Sequence, residues 1–281
     1  MVTFLKSFSL VFIGLIMALS GNVMAQVTIA PTALFIDDAS RYGTFLVING
    51  SDQTQEVSLS FQFGYPDTDK NGNSFMNYEN QQAEEMYSMA DWVRVFPRSF
   101  TLQPDERQTV RMTVRPPQDV TDGTYWTRIK TTSNPAVPDI DDEVTDGVQA
   151  QITFRFEQVT AGFYKRGDVN TGVNIEAINL ANEQERKEVQ VEVTRTGNSP
   201  FLGSMFFTVR NNDNEIVYER RKSTTVYMDV IRRMALDTSE LPAGNYTAEV
   251  RFETRRPDIS SDDIIQAEPV VESVSFRIPE N

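Results

Sequence analysis

Short segments in which every second residue is apolar recur along most of the chain. From Gln55 to Phe63 the apolar residues are Val57, Leu59, Phe61 and Phe63, and polar residues stand between them. The same alternation returns in four further segments, at Val110–Val114, Val148–Phe156, Val189–Val193 and Val274–Ile278. Because the side chains of a strand point alternately to opposite faces, this period predicts half-buried strands. Clusters of Asn, Asp, Gly and Pro separate these strands, as in an all-β sandwich.

Two Gly-x-Tyr triplets occupy equivalent places in two successive parts of the chain. Gly123–Tyr125 and Gly244–Tyr246 each follow a polar turn and open a strand-like segment. They lie about one Ig-like domain plus a linker apart. In Ig-like sandwiches, a tyrosine at this point donates its hydroxyl to upstream backbone and fixes a corner between strands. One triplet alone is also typical of an ordinary turn, but the repeat predicts an all-β chain with two Ig-like β-sandwich domains in tandem.

The domain limits follow from the places where the alternation stops. The stretch 80–90 contains good helix formers and lacks β-branched residues, which predicts a short helical or irregular part of an insertion around 66–91. Prolines and an acidic cluster interrupt the pattern at 134–147, either as a boundary or as a long loop of the first domain. Because the strand after this loop is expected to pair within the first sandwich, we predict a hinge at 158–162. The domains are then residues 26–158 and 163–281.

The N-terminus has the features of a secretory signal peptide. Lys6 precedes an apolar stretch from Phe8 to Leu19, and small residues lead to Ala25. The apolar stretch is shorter than the roughly 20 residues that span a bilayer. We therefore predict cleavage of residues 1–25, a periplasmic or secreted protein, and no membrane insertion after cleavage. An uncleaved N-terminal anchor is the alternative.

Composition narrows the function. The formal net charge of −14 disfavours nucleic acid and anionic lipid as partners, because both are bound by clustered Lys and Arg. The chain has neither histidine nor cysteine and lacks a Gly-rich phosphate loop, so we predict that it is not an enzyme and has no cofactor. Exposed aromatics such as Tyr65, Trp92 and Trp126 suggest glycan binding as a minor hypothesis, since most aromatics of a sandwich belong to its core.

One segment resembles half of a calcium-binding loop. Asp67, Asp69, Asn71 and Gly72 alternate oxygen ligands as the first half of an EF-hand loop does. The position that closes such a loop with a bidentate glutamate is Tyr78 here, and a proline precedes the loop where a helix is expected. A solvated hairpin turn is therefore the preferred interpretation, and we predict no metal site.

The order of motifs in the first domain resembles a known family. Trp92–Pro104 reads WVRVFPRSFTLQP, the strand Gln108–Val114 follows, and Asp122–Trp126 comes next. This order is similar to the N-terminal domain of the PapD-like periplasmic chaperones of fimbrial and pilus subunits, over about residues 26–157. The resemblance implies a chaperone that holds an incomplete Ig-like subunit by edge-strand pairing. The lending strand would then run from Val144 to Phe156. The partner-binding residues would be Val144, Val148, Ala150, Ile152 and Phe154.

Two features of the family are altered in this chain. Asp146 interrupts the apolar series of the lending strand. The family binds the terminal carboxylate of the subunit with an arginine and a lysine, and the matching positions here are Thr32 and Thr153. Two neutral hydroxyls do not make charge-assisted hydrogen bonds of that strength, and Arg41 or Arg155 are the candidates to replace them. The competing hypothesis is a structural or adhesive surface protein of two Ig-like modules without chaperone activity.

Overall fold

The computed structural model of the protein describes residues 27–136, 155–183, 186–239 and 241–279. The predicted signal peptide, residues 1–25, lies outside these ranges. Within them the chain folds into two Ig-like β-sandwiches in tandem, as the alternating pattern predicts.

The first sandwich consists of two sheets. One sheet has the order β1 (Val27–Ala30), β3 (Tyr42–Asn49), β9 (Arg107–Val114) and β7 (Val93–Phe96). The other has the order β2 (Ala33–Asp37), β11 (Phe156–Arg166), β10 (Gly123–Pro135), β4 (Gln55–Gln62) and β8 (Ser99–Leu102). All pairs within these sheets are antiparallel except β2 with β11, which is parallel.

The second sandwich also has two sheets. The first contains β12 (Thr171–Glu183), β13 (Arg186–Gly197) and β16 (Asp229–Asp237), in that order. The second has the order β15 (Ile216–Val226), β14 (Phe201–Arg210), β17 (Gly244–Glu253) and β18 (Val270–Ile278). Seven strands therefore make this a full Ig-like unit.

An insertion between β4 and β7 carries the helical segment that the composition predicts. It begins with a hairpin of β5 (Tyr65–Thr68) and β6 (Ser74–Asn77), and continues with α1 (Gln81–Tyr87) and a 3-10 turn at Ala90–Trp92. The side chain of Asn80 caps α1 by accepting a hydrogen bond from the Ala83 N–H at 3.0 Å.

Each sandwich has its own hydrophobic core, and the alternating residues form it. Val57 and Leu59 are buried in the first core, together with Val110, Met112 and Val114. The second core contains Val189, Val191 and Val193, with residues of β18 packed against it. A third buried cluster, which is largely aromatic, lies between the two sandwiches.

Both predicted tyrosine corners are present. The Tyr125 hydroxyl donates to the Thr121 carbonyl at 2.9 Å. The Tyr246 hydroxyl donates to the Pro242 carbonyl at 2.7 Å. In each case the acceptor lies four residues upstream, so the two sandwiches repeat one local design.

The connection between the sandwiches lies later in the chain than the pattern indicates. Residues 158–162, the predicted hinge, lie inside β11 and pair with β10, and the strand ends at Arg166. The segment 167–170 then leads into β12. The apolar alternation stops early because Gln158, Thr160 and Gly162 follow Phe156 at every second position. A strand of this composition is not visible in the hydrophobic pattern.

Candidate functional site, an open strand edge and the interdomain cleft

The five predicted partner-binding residues, Val144, Val148, Ala150, Ile152 and Phe154, lie outside the described residues. Thr153, the predicted counterpart of the family lysine, also lies outside them. Of the predicted lending strand, Phe156 is described, and it begins β11. The candidate site among the described residues comprises β11 and the side chains around it.

One edge of β11 is only partly covered. The edge toward β10 is paired along the whole strand, from Phe156 opposite Ser133 to Arg166 opposite Gly123. The other edge pairs with β2 only from Ala161 onward. For residues 157–160, the described parts of the chain supply no strand on that side. A short row of backbone groups thus faces outward, as on any sheet edge.

The first hydrogen bond with the chain next to β2 shows which backbone N–H groups of β11 point to this edge. The N–H of Ala161 donates to the Thr32 carbonyl at 3.2 Å and so points toward the β2 side. Backbone groups of an antiparallel strand alternate between its two edges. The N–H of Val159, two residues earlier, therefore points to the open side.

The side chains of β11 divide between the first core and the second sandwich. Tyr164 is buried in the first core. Phe163 belongs to the cluster between the sandwiches and stacks on Phe35 at 4.9 Å between ring centroids. Val159, on the same face as Phe163, is 41% exposed. The middle of this face, from Val159 to Phe163, is thus apolar and leads into the space between the two domains, while Glu157 and Lys165 lie at its ends.

A cleft of about 290 Å³ lies at the end of the open edge. Thr32, Ala33, Arg128 and Val159 line its wall in the first sandwich. Tyr227 and Arg256 are among the residues that line the opposite wall. An added strand that follows β11 would therefore run directly into this cleft.

Arg128 is the main charged feature of the first wall. It lies on β10 opposite Ala161, and it is only 6% exposed. Its Nε donates to the Gly64 carbonyl at 2.8 Å, and its guanidinium carbon lies 5.2 Å from the centroid of the Tyr227 ring.

The guanidinium of Arg128 is incompletely satisfied. Its Nη2 atom is buried and has no hydrogen-bond partner among the described residues. The described residues also give it no carboxylate within ion-pair distance. A buried cation without a counter-charge is costly, so this wall favours an anionic ligand.

Arg256 on the opposite wall is already paired. Its Nε donates to Asp258 Oδ1 at 3.0 Å, and a second guanidinium nitrogen contacts the other carboxylate oxygen. The hydrogen bonds from Arg256 hold the pKa of Asp258 below its ordinary value. The charge of Arg256 is therefore compensated by Asp258, in contrast to that of Arg128.

The predicted cationic substitutes lie elsewhere. Thr32 borders the cleft but contributes no charge. Arg41 follows β2 at the far end from the cleft, where its guanidinium pairs with Asp38 at 2.8 Å. Arg155 is exposed and precedes β11. The structure thus brings neither arginine into the cleft, and the proposal that Arg41 replaces the family anchor is not supported by its position.

Sequence reasoning missed Arg128 because its strand position looks like a solvent-facing one. Its neighbours on the same face are Trp126 and Lys130, and Tyr125 points to the opposite face, into the first core. The available signal is that β10 carries a large aromatic residue on each face. Such a strand is covered on both sides, and a cation on it is then buried as well.

The aromatic residues considered for glycan binding are mostly buried. Trp126 and Tyr65 lie in the cluster between the sandwiches, where Trp126 is fully covered. Trp92 is packed against the first core and contacts Tyr125 at 4.8 Å between ring centroids. The expectation that these side chains are exposed was wrong for Tyr65 and Trp126, because the second sandwich covers them.

The calcium-like segment forms the β5–β6 hairpin. Asp69 Oδ1 accepts hydrogen bonds from the N–H groups of Asn71 and Asn73, at 2.8 and 2.9 Å. Asp69 Oδ2 accepts one from the Asn73 side chain, and these hydrogen bonds lower the pKa of Asp69. The hairpin itself therefore uses the carboxylate oxygens. Over the described ranges, no three His, Cys, Asp or Glu side chains are grouped so as to hold a metal ion.

Among the described residues, no helix has the length and apolar character needed to cross a membrane.

Comparison with known proteins gives matches in structure but not in sequence. No family model matches the chain, and no curated protein matches it. The YadV chaperone matches with a TM-score of 0.47 and 9% identity, over 90% of this chain and 100% of that one. A chain of the CsuC-CsuE chaperone-tip adhesion subunit complex from Acinetobacter baumannii matches with a TM-score of 0.45 and 10% identity, over 88% and 98%.

A third match is a chain of the Salmonella enterica SafA pilin and SafB chaperone complex. Its TM-score is 0.42 at 11% identity, and the match covers 90% of this chain and 99% of that one. All three matches thus combine identities of 9 to 11% with TM-scores below 0.5.

Proposed function

We propose that the protein is an exported assembly chaperone that shields fimbria-type or other Ig-like subunits by edge-strand pairing. The observation that carries the proposal is the edge of β11 at residues 157–160, along which no strand of the described ranges pairs. An extended segment of another chain adds to such an edge through main-chain hydrogen bonds, and alternate side chains give specificity. The predicted signal peptide supports a periplasmic location, and the predicted absence of catalytic groups supports a binding role.

The positive charge of Arg128 also supports the proposal. Its buried Nη2 has no acceptor among the described residues, and Arg128 lines the cleft at the end of the open edge. A chain terminus that arrives there brings a carboxylate, which is the anion that a guanidinium binds best. We assign to Arg128 the anchoring role that Thr32 and Thr153 do not perform.

The strand-pairing step is tested by a proline at Val159. Because the Val159 N–H points to the open side, Val159→Pro removes an outward donor and leaves the hydrogen bonds to β10 in place. Val159→Ala is the matched control, since it shortens the side chain and keeps the donor. Each variant is co-expressed with a pilin-like subunit from the same genome, and the soluble subunit that co-purifies is measured.

We expect the proline variant to lose the subunit and the alanine variant to retain most of it. Equal recovery with both variants would remove strand addition at this edge from the mechanism. A subunit that stays equally soluble when the protein is absent would remove the chaperone function altogether.

The anchoring step is tested separately with Arg128→Met. A charge-assisted hydrogen bond contributes about 1.5 to 3 kcal/mol, so affinity for the subunit should fall roughly 10- to 150-fold. Lys130→Met is the control, because Lys130 lies on the same strand and face but pairs with Glu157 at 3.1 Å. A subunit whose C-terminus is extended by several residues should bind wild type weakly and should be insensitive to Arg128→Met. If that extended subunit binds as tightly as the native one, Arg128 does not recognise a terminal carboxylate.

A further inference from the structure

The insertion of the first sandwich makes polar contacts with the second sandwich at three separate points. Thr68 Oγ1 accepts a hydrogen bond from the Ile231 N–H at 2.8 Å. Asn73 Oδ1 accepts one from Arg233 Nη1 at 2.9 Å. These two contacts lie on β5 and on the loop that follows it, and both reach β16, which is an edge strand of its sheet.

The third contact comes from the end of α1. The Tyr87 hydroxyl accepts a hydrogen bond from Arg195 Nη2 at 2.7 Å, and the guanidinium carbon lies 4.9 Å from the centroid of the Tyr87 ring. Arg195 lies on β13, and the partner of Arg233 across the β13–β16 pair is Gln190. Gln190 and Arg195 are five residues apart on β13, so the contacts made by Arg233 and by Arg195 are about 17 Å apart along the second sandwich.

The partners in the second sandwich are themselves held in place. The Arg233 Nε donates to Glu188 Oε1 at 2.6 Å, and this contact lowers the pKa of Glu188. The backbone of Ile231 belongs to the β13–β16 ladder. The insertion therefore contacts residues of the second sandwich that are held in place by other hydrogen bonds of that sandwich.

An aromatic cluster fills the space behind these contacts. Trp126 lies 4.9 Å from Tyr87 and 5.0 Å from Tyr227, and Tyr65 lies 5.8 Å from Tyr227. Trp126, Tyr65 and Tyr227 are almost completely buried. Contacts between domains of one chain are usually more polar than this, so a buried aromatic cluster combined with three spaced hydrogen bonds restricts both rotation and separation.

We infer that the insertion is an interdomain clamp, formed by Thr68, Asn73 and Tyr87, that fixes the second sandwich in one orientation and makes the two sandwiches unfold as one unit. The clamp acts at the side of the interface that carries the hairpin, and the cleft lined by Arg128 and Tyr227 shares its aromatic cluster. The clamp thus keeps the two walls of the cleft at a set distance before any ligand arrives. This inference concerns the isolated protein and does not depend on the proposed function.

The test removes the three contacts and keeps the aromatic rings. The clamp variant carries Thr68→Val, Asn73→Ala and Tyr87→Phe. The control variant carries the same three kinds of change inside the second sandwich, at Thr254, Asn211 and Tyr218, which hydrogen-bond to Gln266, Glu215 and Ala235. Differential scanning calorimetry of both variants gives the ratio of calorimetric to van't Hoff enthalpy.

We expect a ratio of about 1 for wild type and control, and about 2 for the clamp variant, as its two sandwiches melt separately. Arg195→Gln combined with Arg233→Gln removes two of the three contacts from the other side, since the third donor is the backbone N–H of Ile231, and should change the ratio in the same direction. Small-angle scattering should show a larger radius of gyration for both clamp-breaking proteins. The inference is overturned if both of them keep a ratio of about 1, or if the control separates into two transitions as well.

Discussion

Removal of one hydroxyl group from the second sandwich tests the tyrosine corner. Tyr246→Phe keeps the ring, which is almost buried and stacks on Phe276 at 5.5 Å between centroids. It deletes only the hydrogen bond from the hydroxyl to the Pro242 carbonyl, which is 2.7 Å long. The substitution therefore separates the hydrogen bond from the packing of the ring.

The expected loss follows from the local environment. A neutral hydrogen bond contributes about 0.5 to 1.5 kcal/mol, and a carbonyl left without a donor adds to the cost according to its burial. Because this contact is only partly buried, we expect a loss of about 1 to 2 kcal/mol in the free energy of unfolding. With an m value of about 2 kcal/mol/M, the urea midpoint should fall by about 0.5 to 1 M.

The assay is equilibrium urea unfolding followed by tyrosine and tryptophan fluorescence, with Tyr218→Phe as the matched control. The Tyr218 hydroxyl donates to the Ala235 carbonyl at 3.1 Å in an exposed setting, so its removal should cost less than about 0.5 kcal/mol. If Tyr246→Phe and Tyr218→Phe lower the free energy of unfolding equally, the corner hydrogen bond contributes no more stability than an exposed one. A changed m value would mean that the substitution altered the denatured or native ensemble and not the corner.

Two further perturbations test the core and the pH dependence. Asn49→Ala should destabilise the first sandwich by about 2 to 4 kcal/mol, measured by urea unfolding, because the two N–H groups of the buried amide are shared among three carbonyls, including that of Leu102 at 3.1 Å; a loss below about 1 kcal/mol would show that water replaces these bonds. Burial, together with the hydrogen bond to Asp38, raises the pKa of Tyr164 to about 12. The resulting stabilisation is complete below pH 10, the ordinary tyrosine value, and is lost as the pH rises through about 12; the fall in stability between these pH values should be smaller in Tyr164→Phe, and an equal fall would contradict the assignment.

The sequence was sufficient for the fold because the fold depends on local periodicity. Val57 and Leu59, or Val189 and Val191, are buried because they occupy one face of a strand, and this is visible in a single segment. The tyrosine corners were equally predictable, since the hydroxyl of Tyr246 binds backbone only four residues away.

The site was less predictable because it depends on contacts between distant segments. Arg128 looks like a surface residue until the second sandwich covers its strand, and Tyr227, on which its guanidinium lies, is far away in the chain. The length of β11 was also hidden, because Gln158, Thr160 and Gly162 do not continue the apolar alternation. Pairing with β10 on one side and with β2 on the other extends this strand, and β2 is distant from it in sequence.

The parallel pairing of β2 with β11 limits the length of the open edge. From Ala161 to Lys165 the position beside β11 is already occupied by the protein's own backbone. In the proposed strand addition, a partner segment would therefore stop where β2 begins to pair with β11, and its terminus would lie at the cleft that Thr32 and Ala33 line. The register of the partner segment on β11 would then be set by the distance of each of its residues from that terminus, and not by the chemistry of its side chains.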